Sequence, residues 1–351
     1  MNYTIAGEPE KIERFVQGPV KSFVEKGKEL KEEADLKKSS YDLDEVHRFN
    51  LIEREVLDYF EELDKGLSEE GKKTARAELR KHLPEVYSDS PLCTKPLQKA
   101  LHFDRTGERL FPGDLEALTY IYSNEPPTKE GFGNVLDLHF LERPLARAIR
   151  GRMELVTRLL HEDLVSKQDS ESYKAASLAS GPAHEWYNVL PLIKDKSRLN
   201  IMLLDQDLMA INATKRRLDE VQGDSNIVHL GRDIKDLATD PSLFGSLCNS
   251  DLAYSVGLED YIGKYMSLLV DARYHMTKKG GRIWASFKQA DHYNPIEYDA
   301  LANWTFKREG RTEEGIDETF MKELPWYKDT EVVKHRDPRT GIVLLYDMHK
   351  D

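Results

Sequence analysis

One stretch constrains the fold of this chain more than any other: residues 173–185, reading Tyr-Lys-Ala-Ala-Ser-Leu-Ala-Ser-Gly-Pro-Ala-His-Glu. It opens as a run of small and apolar residues, breaks at Ser180-Gly181-Pro182, and resumes with residues a helix accepts. That is the outline of a buried parallel strand, a tight turn and a helix start. Gly181 lets the backbone pass close to a ligand, because no Cβ stands in the way. The helix N-terminus beyond it offers unpaired N–H groups to something polar or negative. Turns of this kind are common in α/β proteins, so its meaning depends on the residues C-terminal to it.

There, strand-like runs alternate with helical ones. Leu199-Asn200-Ile201-Met202-Leu203-Leu204 reads as a buried strand ending at Asp205-Gln206-Asp207. A helix then carries Leu208, Ile211, Leu218 and Val221 on one side and stops at Gly223. Residues 226–230 and 251–256 are the third and fourth strands, leading into Gly231-Arg232-Asp233 and Gly257-Leu258-Glu259-Asp260. A helix with Ile262, Tyr265, Leu269, Ala272 and Met276 comes next, and Gly280-Gly281 feeds a fifth strand, 282–287. This alternation calls for a parallel sheet with helices on both faces. The tail departs from it. Residues 331–335 and 342–346 flank Asp337-Pro338-Arg339-Thr340-Gly341, the pattern of a hairpin, so one of its strands must run antiparallel.

The first 140 residues show no β-alternation and no phosphate-binding turn. Ile12, Phe15, Val16, Val20, Phe23 and Val24 recur at helical steps over 9–36. A second helix is expected over 43–67, capped by Asp42, and a third from Ser68 to about Leu83-Pro84. Shorter pieces are expected at 97–102 and 114–123. Residues 131–168 read as a linker and then a long helix with Pro144 in its first turn. Arg147, Arg150 and Arg152 are expected on that helix's solvated face, unless one of them meets a bound anion. The organisation expected is an all-helical accessory or substrate domain over 1–140 and a sheet domain over 141–351.

Composition narrows the function. A chain of 351 residues is long enough for two domains. Its net charge of −12 argues against broad binding to nucleic acid or anionic membranes. No window is apolar enough to span a bilayer, and the N-terminus lacks a signal pattern, so a cytoplasmic location is the default expectation. Cys93 and Cys248 lie far apart, which speaks against a disulfide framework. His184-Glu185 does not open a His-Glu-x-x-His motif, because residue 188 is Asn, and no metal is expected.

With its terminal hairpin, the second half resembles class I S-adenosylmethionine-dependent methyltransferases over about residues 170–351. Ser177-Leu178-Ala179-Ser180-Gly181-Pro182-Ala183 sits where the family's Gly-rich first motif belongs, with Ser177 in place of the acid and Ala179 and Ala183 in place of the outer glycines. The resemblance implies a Rossmann-like sheet and S-adenosylmethionine as cofactor. It implies that Asp205, with Gln206 beside it, meets the ribose hydroxyls, and that Asp233 and Ile234 meet the adenine. Glu185 is the candidate substitute for the missing acid at the cofactor's amino-acid end. A narrower likeness is to methyltransferases that make 3-hydroxy fatty acid methyl esters. It rests on 177–185, on Tyr254-Ser255-Val256-Gly257-Leu258-Glu259-Asp260-Tyr261, on Trp304 with Arg311-Thr312-Glu313-Glu314, and on 144–152.

Methyl transfer from a sulfonium is an in-line displacement, so the site mainly has to align acceptor, methyl and sulfur. A carboxylate acceptor needs no base, whereas a hydroxyl or protonated amine does. Acceptor-side candidates lie after strands four and five: Tyr254, Ser255, Glu259, Asp260, Tyr261, Asp291, His292 and Tyr293. His292 is the best single base, with Tyr254 and Glu259 beside it as catalytic candidates, and Ser255 is also placed among the cofactor contacts. The expected partner is a small-molecule acceptor, with a homodimer compatible. A nucleotide-dependent oxidoreductase and a non-catalytic scaffold that has lost the cofactor remain the alternatives.

Overall fold

The computed structural model describes residues 7–37, 43–107, 115–289, 291–294, 298, 300–301 and 312–351. The chain divides into two compact units, Met1–Ala146 with Asn294–Thr305, and Arg147–Tyr293 with Phe306–Asp351.

The first unit is helical. Glu8–Phe15, a π-helical turn at Val16–Val20 and Lys21–Lys37 make up the stretch expected as one helix. Pro19 accounts for the wider turn, since its ring and missing N–H do not fit a regular α-helix interior. The apolar spacing survives, with Phe15, Val20, Phe23 and Leu30 buried. Leu43–Lys65 and Glu69–His82 come next, the second capped by Ser68, whose hydroxyl accepts from Gly71 N–H. Asp42 and Asp114 lie outside the described residues. Pro91–Thr106 extends the expected piece at 97–102, and Leu115–Ser123 falls within the one expected at 114–123.

Gly131–Glu142, expected as linker, is a helix. It is buried nearly all round, so it carries no amphipathic stripe to announce it. Gly133 is a packing residue there. A Cβ on it would lie 2.5 Å from the carbonyl oxygen of Asp89. Beneath this helix a charged cluster is closed on itself: the Tyr87 hydroxyl and Arg143 Nη2 donate to Glu53, and His139 Nε2 lies 3.0 Å from its other oxygen. Burial by itself would raise the Glu53 pKa, but Arg143 and His139 outweigh it and hold the carboxyl at about 2.

The second unit is a seven-stranded sheet in the order β3-β2-β1-β4-β5-β7-β6. The strands are β1 Tyr173–Leu178, β2 Leu199–Asp205, β3 Asn226–Gly231, β4 Ser250–Ser255, β5 Thr277–Lys288, β6 Glu331–Arg336 and β7 Val343–His349. β1 to β5 are parallel, and β7 runs antiparallel between β5 and β6. β5 begins earlier than expected, so that Gly280-Gly281 lies inside it. Alternation along the strands feeds two cores. Ala175, Leu199, Ile201 and Leu203 pack with Trp186 and Leu159 on one face, while Ala176, Leu178, Leu204 and Ala253 pack with Leu247 and Met276 on the other. Among the described residues, no helix is long and apolar enough to cross a membrane, and no group of His, Cys, Asp and Glu could hold a metal ion.

Candidate cofactor and acceptor site

Strand order reverses between β1 and β4, and in open α/β sheets a crevice forms at the carboxyl ends of such strands. The turn after β1 occupies that place. Ala179, Gly181 and Ala183 all have positive φ, at 52°, 52° and 44°. These are the positions where the resembled motif carries glycines. The backbone therefore keeps the left-handed path with alanine at two of them, at a cost of roughly 1–2 kcal/mol each.

The turn is tied down from three sides. Ser180 N–H donates to the carbonyl of Leu204 (3.0 Å), Gly181 N–H donates to Asp205 Oδ2 (2.7 Å), and the Thr214 hydroxyl donates to the Gly181 carbonyl (2.9 Å). No heavy atom lies within 4 Å of where a Gly181 Cβ would stand, so the space above the turn is open. Asp205 thus faces the turn, with its other oxygen accepting from Asp207 N–H at 2.9 Å. Leu208, expected on the apolar side of the following helix, is 62% exposed just beyond it, as is Met209 at 77%. Leu208 rests against Gly231, where a Cβ would meet its Cδ2 at 2.6 Å.

Further along the edge, Gln206 is exposed, and Asp233 is half-buried and caps the turn Ile234–Ala238 by accepting from Lys235 N–H at 2.9 Å. Ile234 packs partly into the core beside Leu247. Ser177 is buried beside Tyr254, its register partner on β4, which carries a buried hydroxyl. That hydroxyl accepts from Trp186 Nε1 (2.7 Å) and donates to Glu185 Oε1 (2.7 Å). Glu185 is half-buried, and burial raises its pKa against the opposing effects of Tyr254 and Arg152.

On the acceptor side the structure separates the candidates. Glu259 is fully buried in an ion pair with Arg273 Nη2 (2.6 Å), and Ser255 bonds to both partners. Asp260 is buried against Lys288, whose backbone N–H it also accepts at 3.0 Å, and Tyr261 lies under the ammonium. These side chains are closed on cations within the fold. His292 is exposed, with Asp291 3.9 Å away, and Tyr293 packs beside Ala148 and Ile342. Trp304 and Arg311 lie outside the described residues.

Arg150 and Arg152 are 3% and 6% exposed, not on a solvated face as expected. Arg152 Nη1 lies 2.2 Å from where a Cβ on Gly257 would stand. Sequence periodicity gave no sign of this, because the contact joins residues about a hundred positions apart. The one local hint was a glycine two residues after β4.

No family model and no curated protein matches the chain. Among solved structures, a possible exported protein from Bordetella parapertussis is similar over 100% of this chain and 99% of its own, with a TM-score of 0.51 and 14% identity. The CurJ carbon methyltransferase is similar over 97% of this chain and 92% of its own, with a TM-score of 0.55 and 11% identity. At such identities the likeness is one of fold. The sheet has the class I methyltransferase architecture, with a helical region before it and an antiparallel strand pair at its end.

Proposed function

We propose that this chain is an S-adenosylmethionine-dependent methyltransferase acting on a small-molecule acceptor. The observation that supports this most is the left-handed turn at 179–183, open above Gly181 and bonded to Asp205. Its residues fit the cofactor. Each Asp205 oxygen accepts one backbone N–H and keeps acceptor capacity for ribose hydroxyls. Leu208 and Met209 offer exposed apolar surface next to it for a purine. Glu185 offers a carboxylate for an ammonium group, in place of the acid that Ser177 lacks.

When bound, the cofactor supplies an electrophilic methyl group on a sulfonium. The protein's contribution is alignment, which can account for much of the barrier reduction in such a displacement. Asp205 and the turn fix the nucleoside, while Tyr254 holds the Glu185 carboxylate in one orientation.

A carboxylate is the acceptor class we favour. Glu259 and Asp260 are paired with Arg273 and Lys288, and Tyr254 donates its proton to Glu185. Among the predicted proton acceptors this leaves His292. A carboxylate, already nucleophilic, needs none of them. The net charge of −12 also suits a small molecule better than a nucleic acid.

Calorimetric titration with S-adenosylhomocysteine should give a Kd on the order of micromolar, weakened about tenfold or more by Asp205→Ala. Absence of heat at high protein concentration would refute the proposal. His292→Ala should leave methyl transfer to the acceptor unchanged; its loss would point to a hydroxyl or amine acceptor instead.

A further inference from the structure

We infer that Arg152 and Glu185 together recognise the amino-acid end of the cofactor, Arg152 taking its carboxylate and Glu185 its ammonium. This rests on the methyltransferase function proposed above. Arg152 belongs to the helix Pro144–Ser166, which precedes the sheet, and its side chain is buried. Its guanidinium occupies the space a side chain at position 257 would need, with Nη1 2.2 Å from the Cβ position. Gly257 also holds φ at +103°, a conformation other residues rarely adopt. Because Gly257 lies just after β4, and β4 pairs with β1, the cation is delivered to the same strand ends as the open turn.

Glu185 supplies the opposite charge. It sits at the start of the helix after the turn, pinned by Tyr254 at 2.7 Å, and it feels the Arg152 charge. Ser177, at the strand position where the resembled motif carries its acid, is instead buried against Tyr254. The carboxylate has thus moved from the strand to the next helix, and a guanidinium arrives from the helix before. An α-amino carboxylate bears an ammonium and a carboxylate on one carbon, and this pair offers each a charge-assisted hydrogen bond. A guanidinium fork suits a carboxylate geometrically, which an ammonium would not.

The full chain is titrated with three ligands: S-adenosylhomocysteine, its decarboxylated analogue, which keeps the amine, and 5′-methylthioadenosine, which lacks the whole amino-acid end. Arg152→Gln should weaken the first about tenfold or more and leave the other two within about twofold. Glu185→Gln should weaken the first two and spare the third. Arg152→Lys, with charge but no fork, should fall between wild type and Arg152→Gln. Equal loss on all three ligands would mean that Arg152 only shapes the turn, and no loss on any would mean that it faces elsewhere; either overturns the inference. Should Arg152→Gln fail to fold, Arg152→Lys carries the test and must show the same selectivity among the three ligands. Wild type binding none of the three would overturn the methyltransferase function itself, whereas tight wild-type binding unchanged by Arg152→Gln overturns this inference alone.

Discussion

Each unit of this protein holds a carboxylate beside an aromatic hydroxyl and near an arginine, yet the two are built differently. In the helical unit, Glu53 is buried and closed on Tyr87, His139 and Arg143. In the sheet unit, Glu185 is only half-buried, held by Tyr254 through one oxygen at the edge of an open turn. The first arrangement spends its hydrogen-bonding capacity on the fold, while the second keeps some for a ligand. A buried ionised group is therefore a weak pointer to function unless one side of it remains open. Glu259 makes the same point inside the sheet unit, where Arg273 closes it off.

The largest effect that would sharpen this contrast is Arg143→Met. Leaving Glu53 buried without its cation should cost about 3–5 kcal/mol, read as a shift in denaturant midpoint. S-adenosylhomocysteine affinity of the folded fraction should not change. If affinity falls too, the helical cluster is part of the site and the contrast fails.

Two glycines give a smaller test. Gly133→Ala drives a methyl into the Asp89 carbonyl and should cost about 1–3 kcal/mol with no effect on ligand affinity. Gly181→Ala meets no atom, so its stability cost should be only the left-handed backbone term, about 1 kcal/mol, while the methyl group fills the cofactor's space and weakens binding. Equal affinities for Gly181→Ala and wild type would remove the turn from the site.

A separate effect appears in acid. Glu53 is held at about 2, below its ordinary 4.5, so its contribution is complete above pH 4.5 and is lost as pH falls toward 2. Burial, aided by Arg217, lowers His184 from 6.5 to about 4. The folded sheet unit therefore resists protonation there, and the corresponding stability is present above pH 6.5 and lost as pH falls through 4. Denaturation monitored against pH should show the sheet unit weakening first, and His184→Gln should shrink that limb without removing it, because burial also lowers His229. An undiminished limb in the variant would assign it to another group.

Much of the sheet was legible because a strand buried on both faces has to be apolar along its length, and because Gly and Pro mark the turns between strands. The expected strands at 199–204, 226–230 and 251–256 each fall within one residue of the observed ends. Gly131–Glu142 was illegible for the converse reason: a helix surrounded by protein has no polar face to set its period. Site residues divided in the same way. Gly181 and Asp205 could be placed from local pattern, since each sits at the end of its own strand. Whether Glu259 or Glu185 stays open to a ligand depended on Arg273 and Tyr254, which reach them from elsewhere in the chain.

The sequence by itself determined an α/β sheet closed by a hairpin, a small-residue turn after β1 and acids at the ends of the next strands. Periodicity and turn chemistry act over a few neighbouring residues, and these features need nothing more. Only the tertiary structure decided which charged groups meet each other across the fold. It put Arg152 on Gly257 and Tyr254 between Ser177 and Glu185, because electrostatic pairing is set by distance in space, which no local pattern encodes.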